Sequence, residues 1–148
     1  MASVSTVLDS PPERVWSLLE DPGILSVVIP GAHRIRRFDA HWPDVGTRVH
    51  HTIGVPPLLL RDSTVVLSAE APRRLRLLGQ ARPFGTVEVE MRLTPHTGGT
   101  EFRVEEWAAS GPISARPLRP ATDLLLAARN KELCRRLSRL IRRRNASA

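Results

Sequence analysis

A long amphipathic segment near the end of the chain constrains the fold more than any other feature. Between Asp123 and Arg144, leucine and isoleucine recur at the spacing of one helix face, and arginines occupy the opposite face. The apolar members are Leu126, Leu133, Leu137, Leu140 and Ile141. At 1.5 Å per residue such a helix is roughly 33 Å long. The chain therefore has to supply an apolar surface of similar length that buries this leucine stripe.

The middle of the chain predicts that surface as a sheet of consecutive strands. Short runs with two-residue alternation are separated by turns rich in Gly, Pro and Asp. Val87, Val89 and Met91 point to one face, and Glu88 and Glu90 to the other. Tight turns between consecutive strands indicate an antiparallel sheet with one apolar face. The predicted strands cover residues 3–8, Arg34–Phe38, Thr47–Ile53, Ser63–Ala69, Arg74–Leu78, Phe84–Leu93 and Thr100–Ala108.

Two short helices are predicted between the first strand and the others. Ser10 is a candidate N-cap, with Pro11 at the first helical position and Glu13 completing a capping box. This helix should end before Pro22, and the apolar residues Ile24–Ile29 predict one or two further helical turns. Toward the other end of the chain, the proline-rich stretch from Ser110 to Pro120 predicts a connector to the last helix.

The composition fits one globular domain, residues 1–148, without covalent or metal cross-links. A chain of 148 residues that is 41% hydrophobic can form a single core. Cys134 is its single cysteine, and no His or Cys cluster has zinc-ligand spacing. Glycine-rich phosphate loops and dinucleotide fingerprints are absent. We therefore expect no metal and no other cofactor, and we interpret Cys134 as a small core residue.

The residues at the start of the chain predict its location. They lack the basic start and apolar core of a signal peptide, and no apolar run approaches the roughly 18 residues that cross a bilayer. Together with the single cysteine, this predicts a cytoplasmic protein in a reducing compartment.

The net charge of +7 is local to the last helix. Residues Arg129–Arg144 contain eight basic residues and one acid, Glu132. Such a face can bind the phosphates of nucleic acid or of an anionic membrane. No aromatic residue lies among these arginines to stack on bases. We therefore favour a solvated helix exterior over a nucleic-acid or membrane contact.

The order of these elements resembles a known superfamily. The resemblance rests on Ser10–Trp16 with Leu18-Leu19 and Asp21-Pro22, on Pro30-Gly31 before a basic strand, on Gly98-Gly99-Thr100, and on the leucine-rich last helix. With these residues in this order, the chain resembles the START-like (SRPBCC) superfamily, specifically its polyketide cyclase/dehydrase and lipid-transport group. The resemblance implies an α+β helix-grip fold: a curved antiparallel sheet of about seven strands around the long C-terminal helix, with two short helices after strand 1.

The resemblance also implies a cavity between the sheet and the last helix. Members of the superfamily hold lipids, polyketides, hormones or aromatic substrates there, and many only bind. The implied function is binding or carriage of a small hydrophobic organic molecule. A cyclase- or dehydratase-like enzyme and an interaction module that uses the arginine face are the alternatives. The residues expected to line the cavity are Val49, His51, Ile53, Val65, Leu67, Leu75, Leu77, Val87, Val89, Met91, Phe102, Val104, Leu126, Asn130 and Leu133.

Two titratable side chains are candidates for acid/base chemistry. His51 is in register with Val49, and Glu106 with Val104, so both should project to the packed face of the sheet. In one cavity they would form a general acid/base pair. The alternative is that each makes a satisfied hydrogen bond near a strand end. The absence of tyrosine removes the phenol that several ligand-converting relatives are thought to use.

Three further sites remain: the first two have two interpretations each, and the third has a structural interpretation. Asn130 shares the leucine stripe and either orients a ligand or bonds to a strand end. The apolar segment Gly54–Leu60 looks too rigid for a tight hairpin, and it either forms a lip of the cavity opposite Ile24–Ile29 or packs on the sheet edge. Asp62 is interpreted as a turn or cap residue.

Overall fold

Seven antiparallel strands form one sheet. From the second to the seventh, each strand pairs with the next strand along the chain, and the first strand pairs with the last at one edge of the sheet. The structure is a computed structural model that describes residues 1–55 and 57–147, without the side chains of residues 32, 33, 53–55, 58 and 81. The strands are β1 (Ala2–Leu8), β2 (Ala32–Phe38), β3 (Arg48–Val55), β4 (Leu58–Glu70), β5 (Arg74–Ala81), β6 (Gly85–His96) and β7 (Gly99–Ser110). In the sheet they lie in the order β1-β7-β6-β5-β4-β3-β2.

The helices confirm the predicted order. Two short helices, α1 (Pro12–Leu19) and α2 (Pro22–Val28), follow β1, and two 3₁₀ turns lead into the long helix α3 (Arg119–Ser147). The leucine stripe of α3 packs on the inner face of the curved sheet, where Leu137 and Ile141 join the main hydrophobic core. The helix-grip architecture with about seven strands is therefore confirmed.

The start of α1 differs from the predicted capping box. Its N-cap is Pro11, and no side chain makes a capping hydrogen bond there. Ser10 is buried, and its carbonyl oxygen accepts a 2.6 Å hydrogen bond from the Thr100 hydroxyl of β7. Helix α2 does have a side-chain cap, because Asp21 accepts from the backbone N–H of Gly23 at 2.8 Å. The tertiary contact to β7 thus takes precedence over the local motif at Ser10.

The Gly98-Gly99-Thr100 turn fixes the start of β7 against the end of β1. Gly98 has a φ of 84°, a conformation that favours glycine. A Cβ atom on Gly99 would overlap the backbone carbonyl of Leu8. Thr100 then donates to Ser10, as described above, so each residue of the motif has its own structural reason.

The segment Gly54–Leu60 forms a tighter connection than predicted. Strands β3 and β4 pair up to Val55 opposite Leu58, so the expectation of a loop too rigid for a hairpin is wrong. Pro56 lies outside the described residues. Both strands are longer than predicted because cross-strand pairing extends them toward the prolines.

None of the helices in the described part of the chain combines the length and the apolar character that crossing a membrane requires.

Candidate functional site

A cavity of about 120 Å³ lies between the inner face of the sheet, α2 and the first half of α3. Most of the side chains around it are apolar, and a few polar groups face it. The lining residues are Leu25, Ile29, Ile35, Trp42, Val49, His51, Thr64, Leu77, Gly79, Gln80, Val87, Val89, Met91, Glu106, Arg129, Asn130 and Leu133.

The structure brings many of the predicted residues together at this cavity. They come from four strands and from α3, and they share the inner face: Val49, His51, Leu77, Val87, Val89, Met91, Glu106, Asn130 and Leu133. The alternation of β3, β6 and β7 places them there as predicted, because paired strands keep opposite residues on one face.

Other predicted residues lie elsewhere. Leu75, Phe102 and Val104 are buried in the solid core and do not line the cavity. Leu126 belongs to a second apolar cluster with Ala2 and Val87. The side chain of Ile53 lies outside the described residues.

The predicted facing of β4 is wrong. Thr64 lines the cavity and Val66 is buried, whereas Val65 lies away from the cavity and Leu67 is 37% exposed on the outer face. Val65, Val66 and Leu67 are apolar at three consecutive positions, so hydrophobicity alone cannot assign their faces. The polar Thr64, two residues after Asp62, marks the inner face instead.

Sequence reasoning missed several lining residues. Leu25 and Ile29 come from α2, where the apolar run Ile24–Ile29 was the available signal. Trp42 follows β2, and its indole nitrogen donates to the carbonyl of Leu19 at 3.2 Å, which holds it at the cavity wall. No local sequence pattern predicts this hydrogen bond.

Glu106 and Arg129 form an ion pair at the cavity wall. Arg129 Nη1 donates to Glu106 Oε1 at 2.9 Å, and the Glu106 side chain is 2% exposed. Burial raises the pKa of Glu106, while the positive charge of Arg129 and the nearby Asn130 amide act in the opposite direction. Arg129 also donates from Nε to the carbonyl of Pro30 at 3.4 Å. This second hydrogen bond of Arg129 therefore links α3 to the segment that follows α2.

Asn130 is 1% exposed on the cavity side of α3. Its amide lies near Glu106, but Nδ2 meets no acceptor with hydrogen-bond geometry among the described residues. Glu106 belongs to β7, so both interpretations drawn from the sequence, orienting a ligand and bonding to a strand, stay predictions.

His51 faces the same cavity from β3. Its Nε2 lies 2.8 Å from the Thr64 hydroxyl, and its buried Nδ1 has no partner within residues 1–55 and 57–147. Burial lowers the pKa of His51 to about 4, against the smaller opposing effect of Asp62. The imidazole is therefore neutral at pH 7.

Asp62 is not a turn or cap residue, because it is buried in the middle of β4. Its carboxylate accepts from the backbone N–H of Ser63 at 3.0 Å and of Arg82 at 2.8 Å. The Arg82 guanidinium lies 3.4 Å away. These bonds tie β4 to the end of β5 near His51.

The arrangement can support proton transfer. The neutral imidazole of His51 can accept a proton, and burial raises the pKa of the Glu106 carboxyl, so the two groups can act as base and acid in one mostly apolar cavity. By contrast, Cys134 is buried outside the cavity, and burial raises its thiol pKa to about 11. Its protonated thiol is a core group rather than a nucleophile.

The comparisons with known proteins agree with this geometry. A family described as polyketide cyclase / dehydrase and lipid transport matches residues 1–144. No curated protein matches the chain.

Solved structures share the fold. Protein NE0264 from Nitrosomonas europaea superposes with a TM-score of 0.76 at 16% identity, covering 97% of this chain and 95% of its own. TTHA0849 from Thermus thermophilus gives 0.70 at 18% identity, with 99% of each chain covered. The di-domain ARO/CYC StfQ of the steffimycin biosynthetic pathway gives 0.76 at 12% identity, covering 97% of this chain and 51% of StfQ. At these identities the likeness shows the fold alone.

Proposed function

The chain belongs to the polyketide cyclase / dehydrase and lipid transport family, and from that membership we propose that it binds or carries a small, mainly apolar organic molecule in the cavity under α3. The observation that carries the proposal is the cavity itself, because a core of this size ordinarily packs without voids larger than a water molecule. The few polar groups among apolar walls are typical of small-molecule sites.

The position of the cavity along α3 supports this proposal. Its walls come from α2 and from the first half of α3, while Leu137 and Ile141 in the second half pack into solid core. The mostly apolar cavity thus lies beside the first half of α3, and a more open cleft lies beside Ile141 and Asn145 at the other end. The mainly apolar lining of the first cavity supports it as the binding space for an apolar molecule.

The experiment is a methyl NMR titration with toluene. We expect shifts at the methyl groups of Val49, Leu77, Val89 and Leu133, and none at the exposed Leu124 of α3. The variant Leu133→Trp should fill the cavity and abolish the shifts, while the matched control Leu124→Trp should keep them. Native mass spectrometry of freshly purified protein should also show a bound hydrophobic molecule. A toluene titration that leaves the cavity methyls unmoved contradicts the proposal.

A second candidate function is acid/base catalysis on the bound molecule. The observation that favours it is that His51 and Glu106 both line the cavity. His51 would accept a proton from a carbon next to a carbonyl group, and Glu106 in its protonated form would donate a proton to the carbonyl oxygen, so that the ketone becomes its enol.

Hydrogen–deuterium exchange of a small ketone in D₂O tests this candidate. We expect the protein to accelerate exchange of the α-hydrogens, and His51→Gln and Glu106→Gln to remove the acceleration while ketone binding persists. His96→Gln, at an exposed position of β6, is the control that should exchange like the wild type. Exchange that is equally fast in all four proteins rejects a catalytic role.

A further inference from the structure

Two buried polar atoms at the cavity wall indicate the chemical class of the ligand more narrowly than the apolar walls do. Asn130 Nδ2 and His51 Nδ1 are both buried and have no partner among the described residues. A buried polar group without a partner costs free energy, and in native structures such groups usually meet a ligand, a water molecule or another protein group. An amide NH₂ can only donate. A ligand that satisfies Asn130 must therefore carry a hydrogen-bond acceptor.

The charges around the cavity select a neutral acceptor. Arg129 is already paired with Glu106 at 2.9 Å, so the described lining of the cavity offers a ligand anion no free guanidinium. An anionic group beside Asn130 would also lie near the Glu106 carboxyl, which burial has already made harder to ionise. A neutral carbonyl oxygen avoids both penalties and still accepts from the amide.

The volume limits the size of the molecule. An apolar cavity of roughly 150 Å³ accommodates benzene, and this cavity measures about 120 Å³. It therefore matches one ring of five or six atoms, and two fused rings exceed this volume.

We propose that the ligand is a neutral, single-ring molecule whose carbonyl oxygen accepts a hydrogen bond from Asn130 Nδ2, with the ring packed among Leu77, Val89, Met91 and Leu133. The proposal rests on the proposed function, since it presupposes that the cavity binds a small molecule. His51 Nδ1 faces the same space. In the tautomer where Thr64 donates to Nε2, it supplies a second donor.

The central experiment compares cyclohexanone with methylenecyclohexane, which has the same shape but no oxygen. Dissociation constants are measured by NMR titration for the wild type and for Asn130→Leu. Because the two molecules differ in hydration, the readout is how far the ratio of their dissociation constants changes between the two proteins. We expect the relative preference for the ketone to fall about tenfold in Asn130→Leu, the effect of one net hydrogen bond.

A matched control keeps the readout specific. Val89→Ala also alters the cavity wall but removes no polar atom, and it should weaken both molecules alike. Asn130→Leu removes an unpaired buried polar group, and we expect it to fold, as circular dichroism can check.

Two comparisons on the wild-type protein need no variant. Cyclopentanecarboxamide and cyclopentanecarboxylate share a shape and differ in charge, and we expect the amide to bind at least tenfold more tightly. The two-ring ketone 2-decalone should show no binding at concentrations that saturate the site with cyclohexanone. Tighter binding of the carboxylate, or saturation by 2-decalone, overturns the neutral single-ring assignment.

The outcomes separate this inference from the proposed function. If both six-membered rings bind and Asn130→Leu leaves their ratio within twofold, the cavity binds small molecules but Asn130 does not donate to the carbonyl oxygen, and the inference is wrong. If no ring of either kind shifts the cavity methyls, the proposed function fails together with the inference.

Discussion

His51 shows how a single strand position acquires chemistry from its surroundings. The residue lies on the same face of β3 as Val49 and so faces the apolar cavity, where Thr64 of β4 contacts its Nε2. Arg36 and Arg129 add positive charge nearby and favour the neutral imidazole further. Neighbouring His50 faces the other side, next to the Arg37 guanidinium. The two adjacent histidines therefore have different environments for the simple reason of strand alternation.

We predict a pH dependence of stability from His51. Its folded pKa of about 4 is below the ordinary 6.5, so the unfolded chain takes up the proton first as the pH falls. Stability is therefore lost between about pH 6.5 and pH 4, by at most about 3 kcal/mol. Urea unfolding at pH 7.5 and pH 5 should show a smaller loss for His51→Gln than for the wild type. His96→Gln should match the wild type, and an identical loss in His51→Gln would refute the buried neutral imidazole.

For individual residues, the sequence predicts which face of the sheet a side chain occupies wherever polar and apolar residues alternate strictly. It places Glu106 and His51 on the inner face because each lies between apolar neighbours at two-residue spacing. It fails on β4, where consecutive apolar residues hide the period, and Asp62 is buried through bonds to the distant Arg82. It also treats Arg129 as part of the charged exterior, since its partner Glu106 lies far away in sequence.

At the scale of elements, the contact between β1 and β7 sets the position of the sheet edge. The Gly98-Gly99-Thr100 turn brings the start of β7 against Leu8 and Ser10 so closely that a side chain at Gly99 has no room. From the sequence, this triplet is recognisable as a turn, but the close approach is a tertiary contact that no local pattern contains. The same holds for the ends of β3 and β4, which pairing extends beyond the predicted limits.

We predict different costs for two adjacent substitutions in this turn. Gly98→Ala meets open space but retains a positive φ, and should cost about 1 kcal/mol. Gly99→Ala would overlap the Leu8 backbone, and should cost at least about 3 kcal/mol or prevent folding. Chemical denaturation followed by circular dichroism measures both, with Gly98→Ala as the control for lost glycine flexibility. Equal costs would show that β1 and β7 are not held this closely.

Across the whole molecule, α3 divides into two halves with different roles. Arg129, Asn130 and Leu133 face the cavity, whereas Leu137 and Ile141 complete the solid core, and the exposed arginines of the second half lie away from the site. The leucine stripe therefore predicted where the helix packs, but not where a hollow remains. That depends on the side-chain volumes contributed by six strands and by α2, and on the absence of a side chain at Gly79.

A substitution at Gly79 tests whether the empty space of the cavity lowers the free energy of unfolding. A Cβ atom there would meet only the Thr64 hydroxyl at 3.6 Å and the Val87 carbonyl at 3.7 Å, which are ordinary contacts, and it would project into the cavity. We predict that Gly79→Ala raises the free energy of unfolding by about 0.5 to 1 kcal/mol, because alanine restricts the unfolded chain and fills empty space.

The same substitution should weaken ligand binding. A methyl group takes up a substantial part of a cavity of about 120 Å³, so toluene and cyclohexanone should bind Gly79→Ala at least several-fold more weakly than the wild type, as measured by NMR titration. Gly46→Ala is a control at a glycine outside the cavity with open space around it and a φ of 86°. It should lose stability and keep the affinity. If Gly79→Ala gained stability and bound both molecules as tightly as before, the hollow beside β5 would not be the binding space.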